Sequence, residues 1–235
     1  MALPRNTTRM KAQGPSARNR TLIHRALIQP LLIMVAACIL LCVSLPLAAG
    51  PGSTAGPSSE TALSGSVLFT FLDVGQGDAI LVSTSDGHHM LVDGGPRSAG
   101  LGLAARLREL GIKHLDVLVS THPHEDHIGG LADVLNAVTV GRVIDSGKVH
   151  TSATYERYLT IIDEKNIPFA LGRANDRFRL GDAGVQIIWP TGALAEDMND
   201  VSVVLRVDYG KSSALLTGDI GPDVEQYLAE HEALS

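Results

Sequence analysis

Residues 121–130, THPHEDHIGG, put four candidate metal donors, His122, His124, Asp126 and His127, within six positions. The run before them, LDVLVS at 115–120, is nearly all apolar, as expected of a strand covered on both faces. His122 and His124 are two apart, so in an extended segment they project to the same side. Asp126 and His127 follow where a helix is expected, and the turn of the chain brings two more donors back toward that point. Imidazole nitrogen and carboxylate oxygen suit a divalent, zinc-like ion. Gly129 and Gly130 are expected to let the backbone bend sharply around it. The alternative, a polar loop with three neighbouring histidines, does not account for four donors at a strand-to-helix junction.

The surrounding pattern predicts a layered α/β fold. Residues 67–83 read as two strands around the polar turn GQGD, and HHMLVDGG forms a third strand ending at Asp93. Helical apolar spacing over 101–110 ends at Gly111, placed as a C-cap. A helix is expected over 128–137, a strand over 140–145 and a helix over 155–165. Strands follow at 178–180, 185–189, 201–208 and 213–217, with a last helix at 223–232. Strands first, then strands and helices interleaved, indicate packed layers.

Charge divides the chain. Six of the 19 Lys and Arg (Arg5, Arg9, Lys11, Arg18, Arg20 and Arg25) fall in residues 1–25, which hold no acid. The remaining 210 residues set 13 basic against 25 acidic side chains. Such a body has no general pull on nucleic acid, which is gripped by clustered Lys and Arg. A nuclease role would need a local basic patch or bound metal.

Residues 26–49 carry no charge in 24 positions, and about 20 apolar residues suffice to cross a bilayer. The basic flank predicts a cytoplasmic N-terminus by the positive-inside rule. Three readings are open: a retained single-pass anchor in the cell membrane; a signal peptide cut near Ala48-Ala49-Gly50, giving a secreted protein; and a lipoprotein attached at Cys38. Each puts the body outside the cytoplasm. Both cysteines, Cys38 and Cys42, lie in this segment, so the body itself reveals no redox compartment. Residues 50–65 read as a flexible linker, leaving 66–235 as the folded domain.

THPHEDHIGGL resembles the H-x-H-x-D-H signature of the metallo-β-lactamase superfamily. With FLDVGQGDAILV, LVDGG, NDVSVVLRVDYG and LLTGDI in that order, residues 66–232 are similar to the hydrolase domain of ComEC-type DNA-uptake competence proteins and their stand-alone relatives. The resemblance implies an α+β sandwich of αββα layers. It also implies one or two Zn2+ ions, with Mn2+ as the other candidate. His122 and His124 would hold the first ion; Asp126 and His127 the second, with Asp126 also near the attacking water; Asp219 would bridge both. For Asp219 the other reading is a cap on the following helix. Asp73 and Asp78 would frame the GQG turn at the site's edge, or only form the turn. Asp93 resembles a family turn near the site, or is a plain β-turn. Asn199 or Asp200 occupies the region where other branches carry a third histidine.

The family pattern continues after Asp219 with a further strand and a His-His-Gly-Ser-like turn that supplies the last ligand of the second ion. The expectation from the chain end at Ser235 is a C-terminally incomplete fold. The activity implied is metal-assisted hydrolysis of a phosphodiester, with extracytoplasmic DNA as substrate. The rivals are a hydrolase of the same fold acting on a lactam, lactone or thioester, and a non-catalytic membrane-anchored binding module or inert fragment.

Overall fold

The computed structural model describes residues 65–191 and 196–231; the basic segment, the apolar segment and nearly all of the linker lie outside the described residues. Among the described residues no helix is long and apolar enough to cross a membrane.

Two sheets carry the fold. The first has six strands in the order β1 (Val67–Phe71), β2 (Ile80–Thr84), β3 (His89–Val92), β4 (His114–Ser120), β5 (Thr139–Asp145), β6 (Phe169–Leu171). The first three are antiparallel and the rest parallel. Crossovers run through α1 (Gly100–Glu109), then α2 (Glu125–Ile128) with α3 (Leu131–Ala137), then α4 (Ala153–Glu164). The second sheet is an antiparallel meander of β7 (Arg177–Leu180), β8 (Ala183–Trp189), β9 (Val204–Tyr209) and β10 (Ser212–Leu216), followed by α5 (Pro222–His231).

Alternation along the strands builds the layers. In β2 and β3, Ile80, Val82, Met90 and Val92 point to a core shared with Val185, Leu205 and Val207 of the second sheet. Leu81 and Leu91 point the other way, into a core with Leu107, Leu131 and Leu159 of the helices. Val224 and Leu228 of α5 close the outer face of the second sheet over Ile188 and Val204. The order of layers is helix, sheet, sheet, helix.

Most elements fall within a residue or two of the sequence expectation. β6 was not anticipated, since three residues after Pro168 give no period to read. The expected strand over 201–208 starts only at Val204. The expected helix over 128–137 is two pieces around Gly129 and Gly130, and here the bending role foreseen for the glycines is corrected. Both are right-handed helical, Gly129 at φ −58° and Gly130 at φ −80°. They are required by packing: a Cβ at Gly129 would overlap the Arg97 amide nitrogen, and one at Gly130 the Gly94 carbonyl.

Leu118 at the centre of β4 is fully buried, whereas Leu68 on edge strand β1 is 62% exposed. Leu118→Ala is expected to lower urea-unfolding stability by about 2–5 kcal/mol, and Leu68→Ala by no more than about 0.5 kcal/mol.

Candidate metal centre

Four loops meet at the C-terminal ends of the parallel strands, and backbone hydrogen bonds join them. The Gly95 amide donates to the Asp78 carbonyl (2.8 Å), the Gly94 amide to His127 O (2.7 Å) and the Gly130 amide to Gly95 O (3.0 Å). Gly77 has φ +92°, and a Cβ there would overlap the Asp126 carbonyl, so this turn needs glycine on both counts. From the residue just before β9 of the second sheet, the Val203 amide donates to Thr121 O at 2.9 Å.

The side chains converge. His122, His127 and Asp219 present ligand atoms all within 4.8 Å of one another. His127 Nε2 lies 3.2 Å from Asp219 Oδ2, and the Asp219 side chain is 41% exposed, which leaves this group open to solvent on one side. His124 Nδ1 is 3.0 Å from His122 Nε2. Asp126 lies outside the trio but close by. Its Oδ2 accepts from Gln76 Nε2 at 3.3 Å, and its charge acts on both His122 and His127.

Asp93 stands directly behind the site. It is fully buried, at φ 58°, a left-handed conformation that Asp tolerates better than most residues. Its Oδ1 accepts from the Thr121 amide (2.8 Å), and its Oδ2 from Thr121 Oγ1 (2.6 Å) and from His127 Nδ1 (2.8 Å). The plain-turn reading of Asp93 therefore gives way to that of a carboxylate orienting an imidazole, with Nδ1–H on Asp93 and Nε2 turned to Asp219.

The other expected residues divide. Asp73 is exposed and caps its own turn through the Gly75 amide (3.2 Å). Asp78 holds the site through its carbonyl. Asp200 braces the chain, its Oδ1 accepting from the Gly221 amide (2.9 Å) and its carbonyl from Trp189 Nε1 (2.6 Å). Asn199 has a buried side-chain oxygen without a hydrogen-bond partner, and its carbonyl accepts from Ser202 Oγ (2.7 Å). Other described histidines are engaged elsewhere: His88 with Asp116, His114 with Thr139, His150 with Ser152. Thr121, Gln76 and Ser202 were not foreseen. For Ser202 the signal was available, because a hydroxyl within an apolar run needs a buried partner.

The two central imidazoles are driven apart. Burial, then the neighbouring charges of His127 and His124, hold His122 down at about 3. Burial also opposes charge on His127, but the bond to Asp93 and the charges of Asp93, Asp219 and Asp126 outweigh it and raise His127 to about 9. Nitrogen and oxygen donors with oriented lone pairs, a proton-attracting field and one open side fit a divalent cation.

Residues 72–233 match the family model of the metallo-beta-lactamase superfamily, well over half of the chain. The chain belongs to that superfamily. It is 28% identical over 172 residues to "Competence protein ComA" of Neisseria gonorrhoeae, covering 73% of this chain and 22% of that protein. It is 27% identical over 172 residues to "ComE operon protein 3" of Bacillus subtilis (66% and 22%). Ribonuclease J of Sinorhizobium meliloti is 26% identical over 119 residues (49% and 19%). The chain spans about a fifth of the length of these curated relatives.

A raised histidine pKa means that the folded superfamily domain keeps a proton which the unfolded chain releases. The stabilisation is complete below about 6.5, the ordinary histidine value, and is lost as pH climbs through about 9. Denaturant unfolding of the chelator-treated chain should therefore show stability falling across that window. Asp93→Asn should flatten the fall; an unchanged slope in that variant would remove Asp93 as the partner.

Proposed function

We propose that this chain is a metal-dependent hydrolase of phosphodiesters acting on DNA outside the cytoplasm. The observation that carries the reading is the convergence of His122, His127 and Asp219 from the two halves of the sandwich. In it His122 and His124 would hold a first cation and Asp126 and His127 a second, with Asp219 shared between them. One or two Zn2+ ions, or Mn2+, are the candidates. A nitrogen pair at 3.0 Å and a nitrogen–oxygen pair at 3.2 Å are spacings that two donors to one ion take.

A divalent cation here supplies Lewis acidity, making water nucleophilic near neutral pH and offsetting charge on a phosphate. The chain's own groups do the rest. Asp93 and the Thr121 and Ser202 hydroxyls turn the Nδ1–H sides of the imidazoles away from the centre. Asp126, with one oxygen held by Gln76, has the other available to orient the attacking water and take its proton. The acidic body opposes nucleic acid, so local positive charge for the phosphate would have to come from cations held by these residues.

DNA is favoured over a lactam, lactone or thioester because the relatives named above are competence-type proteins and a ribonuclease. In this reading residues 26–49 are a single-pass anchor in the cell membrane that holds the domain on the extracytoplasmic side. Cleavage near Ala49 would give a secreted form instead.

The test uses the full chain in mild detergent, loaded with zinc or manganese. It should cleave single-stranded DNA and bis(p-nitrophenyl) phosphate, leave nitrocefin intact, and lose activity on chelation. His122→Ala and Asp219→Ala should each cost about a hundredfold or more. Metal content well under one equivalent, or turnover of nitrocefin or a lactone with DNA untouched, would overturn the reading.

A further inference from the structure

Ser202 is fully buried, and every hydrogen-bonding capacity of its hydroxyl is used. A hydroxyl has one proton and two lone pairs. The proton goes to the Asn199 carbonyl at 2.7 Å. The lone pairs face His122 Nδ1 and the Asp219 amide, each at 3.3 Å. Thr121 Oγ1 also faces His122 Nδ1, at 3.0 Å, and its proton is committed to Asp93 at 2.6 Å.

Neither hydroxyl therefore has a proton to give to His122, and both can only accept. The His122 proton must sit on Nδ1, which leaves the lone pair on Nε2, the atom beside His124. Ser202 belongs to the second sheet's side of the molecule and His122 to the first. The serine consequently sets the imidazole and the Asp219 backbone at once. Gly218, at φ +56°, permits this approach, since a Cβ there would press on Ser202 Cβ and Oγ at 3.0 Å and on Thr121 Cβ at 3.2 Å.

We propose that Ser202, assisted by Thr121, is a positioning residue that locks His122 in its Nδ1–H tautomer and fixes Asp219 opposite it, joining the two halves of the metal centre. The inference rests on the metal-centre reading above and concerns how its donors are oriented. A serine that merely closed the 199–202 turn would satisfy the Asn199 carbonyl without any effect on His122.

The experiment takes the full chain in mild detergent, with 15N-labelled histidine, and reads the His122 ring by long-range proton–nitrogen correlation in the chelator-treated protein. Zinc affinity is measured in parallel by competition with a chromophoric chelator. Wild type should show the Nδ1–H pattern. Ser202→Ala should weaken that pattern and raise the zinc dissociation constant about 10–100-fold. Ser202→Ala combined with Thr121→Val should mix the tautomers, and Thr121→Ser should keep the wild-type pattern. An Nε2–H pattern in wild type, or wild-type spectrum and affinity in Ser202→Ala, would overturn the proposal. If wild type takes up no zinc, the hydrolase reading falls, while the His122 spectrum of the two chains still decides the role of Ser202.

Discussion

The Asp93 carboxylate is the interaction on which the rest of this site depends. A carboxylate removed from water is costly unless it is met by donors, and Asp93 is met by three: a backbone amide, a hydroxyl and an imidazole. Thr121 and His127 are thereby fixed relative to β3 (His89–Val92), although they lie about thirty positions further along the chain. The backbone bonds among Asp78, Gly94, Gly95, His127 and Gly130 repeat the same connection without side chains. Three turns separated in sequence are thereby tied to one another, and the side chains they carry would be placed in advance of any ligand.

The opposed behaviour of His122 and His127 follows from this support. Their ring centroids are 4.1 Å apart, too close for two positive charges in a buried site. The carboxylates settle which ring keeps the proton. Asp93 and Asp219 both contact His127, whereas His122 meets hydroxyls, which supply acceptors but no charge. Burial keeps His122 neutral, whereas the carboxylates favour the proton on His127. Were a cation bound here, its uptake would displace that proton and so depend on pH.

Much of this was legible in the sequence, for identifiable reasons. The strand, helix and hairpin pattern reads out because β2 and β3 alternate cleanly between two cores and because α4 (Ala153–Glu164) keeps one apolar stripe. The His122–His127 cluster reads out because its donors are close in sequence. Asp219 came only through family resemblance, since nothing local links position 219 to position 127. What escaped was set by long-range contact. Gln76, Thr121 and Ser202 are ordinary polar residues until their neighbours are known, and Asp93, placed near the site by the family resemblance, gave no local sign of the imidazole it would meet. The glycine pair misled for the opposite reason: freedom of the backbone suggested a bend, whereas the missing side chains are what matter.

The acidity of the body and the proposed substrate are reconciled at the same place. Asp219 lies 3.2 Å from His127 and Asp126 acts on both central imidazoles, so without cations the carboxylates at the site oppose a phosphate. Divalent ions held by neutral imidazoles and a bridging carboxylate would reverse the field locally while leaving the rest of the surface acidic. Strength of attraction would then depend on metal occupancy, and surface regions away from the centre would not retain the product strand. An acidic domain acting on an acidic polymer is coherent on those terms, because the charge that matters is the one carried by the ions themselves.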